Sequence, residues 1–375
     1  MIRIGILAVS LVSFAASSFC AGFEADAGTS IQNLTVKARA GVDALKAQEA
    51  QRIAMIKKAM PSVASILVRV TVNKPSLLAK ALGREYHPIV GASLGTGWVV
   101  REGLLVTNNH VVDSREIGET VVIQFSDHIN RQGVVVAKNP RKDLALISFK
   151  DPSRPSMPLG SSKTLSQGQF VAAIGSPVGL RETVTAGIFS RYGFLDEIGP
   201  GRYLQIDADI NHGNSGGPLV DMDGRVIGVN FAGPQLPGIG WAIPVEYVKQ
   251  ALRQYDSMKK LVNARLGAEF EPANWIPSSE LPPIRRGGPV HETGAWLKSV
   301  PAESSADSAG LRAGDRVLSV DGVTLPEPAY DATRAIMTAI AEKDPGDSLK
   351  LLIERGGESR EVVVTLAEED DNHVP

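Results

Sequence analysis

Cysteine is almost absent: Cys20 is the one thiol in 375 residues. Cleavage after Ala27 would remove it. The mature chain then needs no disulfide, and a cysteine nucleophile is excluded. Charge of one sign is also lacking. With 39 basic and 41 acidic side chains the formal net charge is -2, so no global field draws the chain to nucleic acid or an anionic membrane. The apolar stretch Ile4–Phe19 is diluted by serines and is shorter than the roughly 20 residues a membrane-spanning helix needs. It follows the basic start Met1-Ile2-Arg3 and precedes Ala25-Asp26-Ala27, an A-x-A cleavage signature. Residues 1–27 therefore read as a cleaved export signal in preference to a retained anchor. Bulky Phe19 before Cys20 disfavours a lipidation site, which normally has a small residue there.

What remains is ordinary for a soluble protein: 43% hydrophobic and 21% charged residues. At this length two or three domains are expected. Residues 28–60 carry a helical period, with Ile31, Leu34, Ala38, Val42, Leu45, Ile53, Ile56 and Met60 near one face. That segment reads as a surface helix packed on the next domain. An oligomer contact and a membrane-surface helix are the alternatives.

After Pro61 the texture becomes β. Short runs rich in Val, Ile and Leu are punctuated by Gly, Asn, Asp and Pro, among them Ser65–Val72, Gly97–Val100, Leu104–Thr107, Leu144–Phe149, Phe170–Ile174 and Val226–Phe231. Many short strands without intervening helices predict antiparallel barrels over 61–257, closed by a helix that opens at Pro244. A smaller domain follows at 263–368. Its expected strands include Leu266–Phe270, Ala295–Val300, Arg316–Val320 and Leu349–Arg355, and its helices are Ser304–Ala309 and Tyr330–Glu342. A proline-rich loop insertion occupies 271–289, and 369–375 is an acidic tail. No internal repeat is visible.

The chemistry concentrates in Asn211-His212-Gly213-Asn214-Ser215-Gly216-Gly217-Pro218-Leu219. Glycines let such a loop fold tightly and aim backbone N–H groups at one point. A serine there can attack a carbonyl while neighbouring amides hold the oxyanion. A serine hydroxyl needs an adjacent base. Of six histidines, His110 lies just after an apolar run, in Leu105-Val106-Thr107-Asn108-Asn109-His110. An acid should orient it, and Asp143 stands at the mouth of the apolar run Leu144–Phe149. The order His, Asp, Ser on a β-rich domain matches a known triad order. Gly213-Asn214-Ser215-Gly216-Gly217 also fits the G-x-S-x-G elbow. An α/β-hydrolase would require strand–turn–helix context and a histidine after the serine. Only His291, beside a proline-rich region, and His373, in the tail, follow Ser215, so that reading fails.

Thr107–Val112, Asp143–Ile147, Asn211–Leu219 and Gly240-Trp241-Ala242-Ile243-Pro244 together resemble the HtrA/Deg family of serine endopeptidases. Leu94–Val100 and Ala186-Gly187-Ile188 match further family segments. The resemblance runs from about Met60 to Ala367. It implies a mainly β fold: a chymotrypsin-like double β-barrel followed by a C-terminal PDZ domain. By resemblance His110 is the general base, Asp143 its orienter and Ser215 the nucleophile, with the amides of Gly213, Asn214 and Ser215 as oxyanion hole. The segment Ala306–Gly322 resembles the PDZ helix–turn–strand. Arg265-Leu266-Gly267-Ala268 resembles the loop that binds a peptide carboxylate, although Ala268 is small where a bulkier apolar residue is usual.

The resemblance implies an exported, ATP-independent, cofactor-free homotrimer that degrades unfolded or misfolded polypeptides in the cell envelope, with C-terminal peptides as PDZ ligands. The alternative is a regulatory protease, or a peptide-binding chaperone, activated by C-terminal peptides through the PDZ domain. His212 departs from the family, where proline is common. Asp209, six residues before Ser215, occupies the spacing that in trypsin-like proteases puts an acid in the primary pocket and selects basic side chains. The family instead tends to cut after small aliphatic residues, and a hydrogen-bonded wall residue is the preferred reading of Asp209.

Overall fold

The computed structural model describes residues 38–72, 89–176, 183–195, 201–211, 213–236, 238–271, 294–326 and 329–369. The expected export signal, His212, His291, all of the 271–289 loop but Glu271, and the tail beyond 369 lie outside the described residues. Two units separate, at residues 1–57 and 58–375. The described residues 38–59 are helical, α1. Its apolar side chains Val42, Leu45 and Ile53 are exposed. Among the described residues no helix is long and apolar enough to cross a membrane.

The second unit opens with two closed six-stranded barrels. The first comprises β1 (Val63–Val72), β2 (Ile89–Arg101), β3 (Leu104–Thr107), β4 (Thr120–Gln124), β5 (Asn130–Asn139) and β6 (Leu144–Phe149), in the spatial order β1-β2-β3-β6-β5-β4. Every pairing is antiparallel, and β1 closes on β4. Alternation makes the interior: along β6, Ala145, Ile147 and Phe149 point inward and are buried. They meet Ile66, Val99, Leu105 and Val135 in one core, where each large aliphatic side chain contributes about 1.5–3 kcal/mol by leaving water.

The second barrel comprises β7 (Phe170–Gly175), β8 (Thr183–Gly193), β9 (Tyr203–Ile206), β10 (Pro218–Val220), β11 (Val226–Leu236) and β12 (Ile239–Pro244). Its order is β10-β11-β12-β9-β8-β7, closed by β7 on β10. Val171, Phe189, Leu204, Leu219 and Ile227 form its core. Strand β10 is only three residues long, because the preceding glycine-rich loop occupies the rest of the segment. Helix α2 (Val245–Met258) follows. The helix expected to open at Pro244 starts one residue later: Pro244, at φ -55 and ψ 140, is extended and ends β12.

The remainder builds around a five-strand path with one appended strand: β14 (Glu269–Phe270), β15 (Ala295–Ser299), β16 (Arg316–Val320), β18 (Ser348–Arg355) and β19 (Glu358–Thr365), with β17 (Val323–Thr324) on β16. A two-stranded sheet joins β13 (Ala264–Arg265) to β20 (Ala367–Glu368). The short α3 (Ser305–Ser308) and the longer α4 (Ala329–Ala341) complete it. Leu297, Ile336, Leu351 and Ile353 are among its buried core. Of the strand expected at Leu266–Phe270 only Glu269–Phe270 forms, as β14, while β13 ends before it at Arg265. Gly267, at φ +74, turns the chain between them, and a Cβ there would stand 2.8 Å from that of Ser304.

Candidate active site

Strand β3 ends at Thr107, and a tight turn presents His110. The Val112 amide closes this turn on the Asn109 carbonyl at 2.9 Å. Asp143 arrives from another direction. Pro140–Lys142 form one 3-10 turn, capped by the Asn139 side chain, which accepts from the Lys142 amide at 3.0 Å. Asp143 then takes the left-handed conformation, φ 50 and ψ 45, before β6 begins. Asp adopts that region more readily than most residues. Its backbone carbonyl accepts from Asn108 Nδ2 at 3.0 Å, which ties this turn to the histidine turn.

The two sequence-predicted residues meet twice. His110 donates its backbone N–H to Asp143 Oδ1 at 2.9 Å, and ring Nδ1 lies 2.8 Å from Asp143 Oδ2. The carboxylate accepts, so Nδ1 carries the proton and Nε2 of the neutral ring keeps its lone pair. The acid is enclosed while the imidazole reaches outward, at 9% and 45% side-chain exposure. Phe231 packs edge-on against the imidazole, with ring centroids 5.8 Å apart.

Ser215 sits in the glycine-rich loop before β10, and 5% of it is exposed. The loop is held from both barrels. Thr96 of β2 donates its amide to the Ser215 carbonyl at 2.8 Å and its hydroxyl to the Gly213 carbonyl at 2.5 Å. The same hydroxyl accepts from the Ser176 amide at 2.9 Å, and the Thr96 carbonyl accepts from Thr107 Oγ1 at 2.7 Å. On the other side the Gly216 amide donates to Asn230 O at 2.9 Å, and the Asn230 amide donates to Gly217 O at 2.8 Å. Asn230 directly precedes Phe231, so β11 braces the serine loop with one residue and the imidazole with the next. Gly216, at φ +83, cannot be replaced freely, because a Cβ would stand 2.2 Å from Thr96 O.

The Asn214 amide is engaged within the turn, donating to Asn211 O at 3.0 Å. Burial first, then Tyr247 and Asp143, push the Tyr203 phenol far above its ordinary range, so it stays neutral. Asp209 is exposed, and its backbone carbonyl accepts from Thr185 Oγ1 at 2.8 Å. An acid at the floor of a pocket would be enclosed. Among the described residues no group of three or more His, Cys, Asp or Glu side chains is placed to hold a metal. Thr96, Asn108, Asn230 and Phe231 carry no catalytic signature in the sequence. Their segments Leu94–Val100, Thr107–Val112 and Val226–Phe231 were legible, but the partners that give these residues a role come from other segments.

In the smaller domain Arg265 belongs to β13 and Ala268 packs against the core. Leu266 is buried, and its carbonyl accepts from the Ala306 amide at 3.0 Å. With Gly267 they form the bend that leads into β14, an end strand of its sheet.

Residues 95–229 match the trypsin-like peptidase domain family, and residues 264–366 match the PDZ domain family. The chain is 32% identical over 388 residues to the periplasmic serine endoprotease DegP of Escherichia coli (strain K12), covering 92% of this chain and 79% of that protein. A probable periplasmic serine endoprotease DegP-like of Halomonas elongata is 33% identical over 299 residues, covering 77% of this chain but 60% of the relative. One of the same description from Brucella suis is 34% identical, with 52% of its length spanned. Among solved structures, an HtrA-type protease AlgW with decapeptide superposes with a TM-score of 0.63 at 27% identity, covering 84% of this chain and 98% of that one. The expected architecture, a chymotrypsin-like double barrel with a C-terminal PDZ domain, is therefore present, and the chain belongs to the HtrA/DegP family of serine endoproteases.

Proposed function

We propose that this protein is an exported serine endopeptidase that cleaves unfolded or misfolded polypeptides in the cell envelope. The observation that supports this most is the double hold of Asp143 on His110, which fixes both the ring's position and its tautomer. In the proposed reaction Ser215 Oγ attacks the scissile carbonyl while His110 Nε2 takes its proton. The amides of Gly213 and Ser215 receive the developing oxyanion. The sequence reading included Asn214 in that hole, but its amide already serves the turn. Collapse of the tetrahedral intermediate expels the amine, which takes the proton from His110. Water, deprotonated by the same ring, then hydrolyses the acyl-Ser215 ester. No step calls on a cofactor.

Export follows from the reading of residues 1–27 and accords with the periplasmic relatives. A mass measurement of the mature N-terminus tests it, with a start after Ala27 expected. Assembly as a homotrimer is proposed from the family resemblance, and sedimentation checks it. Substrate capture is assigned to the PDZ domain. The bend Arg265–Ala268 would receive a peptide's terminal carboxylate, and the edge of β14 would pair with its backbone.

A regulated enzyme or peptide-binding chaperone is the second reading. It is favoured by the HtrA-type proteases whose structures hold a decapeptide or a tripeptide. Casein digestion by wild type and Ser215→Ala, with and without an added C-terminal peptide, separates the readings. Cleavage by the wild type alone supports a constitutive protease, and cleavage only with the peptide supports the regulated one. No wild-type cleavage in either condition contradicts both peptidase readings.

A further inference from the structure

We propose that Lys142 and Arg141 are positioning residues through which the PDZ domain sets the placement of Asp143. The proposal deepens the peptidase reading and rests on it. Asn139, Arg141 and Lys142, around the turn that delivers Asp143, each reach a residue of the PDZ half of the chain. Asn139 Nδ2 donates to Asn263 Oδ1, just before β13, at 3.0 Å. The Arg141 guanidinium pairs with the Glu369 carboxylate, just after β20. Lys142 Nζ donates to the carbonyl of Ala341, the last residue of α4, at 2.8 Å, and to Gln250 Oε1 on α2 at 2.6 Å.

The carbonyls at a helix C-terminus have no partner within the helix and carry partial negative charge, so a cation is favoured there. Here that cation comes from the protease domain, from the residue next to the catalytic acid. The site is enclosed. Lys142 is 5% exposed, and its ammonium lies 5.1 Å from the centre of the Tyr247 ring. Burial pushes it down to about 8, against the opposing pull of Asp344 and Glu369 and with the help of Arg141 and Arg253. The chain after α4 is anchored on the same helix α2. Gln250 Nε2 donates to Lys343 O at 2.7 Å and to Asp344 Oδ1 at 3.0 Å, and Gln254 Nε2 donates to Asp344 Oδ1 at 2.7 Å.

A lysine held only to join two domains would need no particular neighbour. This one is bonded by its chain to Asp143, whose carboxylate must stay within hydrogen-bond reach of His110. The turn is a single 3-10 turn, Pro140–Lys142, that leads directly into Asp143. Displacing the C-terminal end of α4 therefore moves the turn, and a misplacement of about 1 Å at a reacting group costs up to ~100-fold in rate. Helix α4 packs against β13 and β15 of its own domain, so one hydrogen bond, from Lys142 Nζ to Ala341 O, joins that domain's core to the residue beside Asp143.

The experiment compares the full chain with Lys142→Met, which keeps the length and loses the donor. Four quantities are read: kcat and KM on a peptide substrate, the melting temperature, and the NMR resonance of the His110 Nδ1 proton. The expected result is a kcat at least ~10-fold lower, an unchanged KM and a shifted or broadened Nδ1 proton. An unchanged kcat and resonance in a folded variant overturns the proposal. Should Lys142→Met fail to fold, Arg141→Glu and Glu369→Arg replace it. Each alone should lower kcat and the pair should restore it; no loss in the single variants overturns the proposal. If the wild type itself cleaves nothing, the peptidase reading fails. The His110 resonance still decides whether Lys142 positions Asp143.

Discussion

Asp143 holds His110 by two separate bonds, one to its backbone and one to its ring. An amide in place of the carboxylate keeps the shape but offers the ring a donor or a neutral acceptor. Asp143→Asn should lower kcat by about 10⁴-fold, the scale on which a wrongly held tautomer acts in such triads, with little change in KM. Steady-state kinetics on a peptide substrate check this. A loss below about tenfold would mean that the pairing does not set the tautomer.

Thr96 uses one hydroxyl to satisfy Gly213 O and Ser176 N. Thr96→Val fills the same volume but removes the partner of the buried Gly213 carbonyl and of the half-buried Ser176 amide. The cost should be about 1–3 kcal/mol for each group left without a partner. Because Gly213 leads into the nucleophile, kcat should fall too. Thr96→Ser should retain both. Urea unfolding paired with kinetics separates the stability effect from the catalytic one.

Lys142 makes stability depend on pH. Its folded value of about 8 lies below the 10.5 of an ordinary lysine. Between those values the unfolded chain binds more protons, so rising pH favours the fold. Below about 8 both states are protonated and the full penalty of the buried charge applies. The difference of 10.5 − 8 = 2.5 corresponds to about 3 kcal/mol. Wild type should therefore gain about 3 kcal/mol relative to Lys142→Met from pH 8 to 10.5, measured by denaturant unfolding at each pH.

Asp209 is exposed, so basic residues should not be preferred before the cut. Cleavage-site mapping on casein should give the same sites for wild type and Asp209→Asn. A preference for Lys or Arg that disappears in the variant would place the acid in the pocket after all.

Much of this was legible in the chain. Leu144–Phe149 and Arg316–Val320 read as strands with the boundaries the structure has, because short apolar runs there end at turn residues. The pairing of His110 with Asp143 was readable from motif and order. Other features depend on contacts that spacing cannot encode. The bend at Gly267 has φ +74 and runs close to Ser304, a neighbour far along the chain that spacing does not reveal. Thr96 reads as one more strand residue until its partners Gly213 and Ser176 are in place. Lys142 looks like a solvated charge beside Arg141, and only the docking of α4 and α2 around it makes it buried.

The central claim is that Ser215 is a nucleophile activated by His110. Intact-mass analysis after exposure to a fluorophosphonate, with and without a C-terminal peptide, tests it most directly. A single adduct on the peptide carrying Ser215 is expected, absent from Ser215→Ala and nearly absent from His110→Ala. No adduct in either condition, an adduct at another residue, or undiminished labelling of His110→Ala would contradict it.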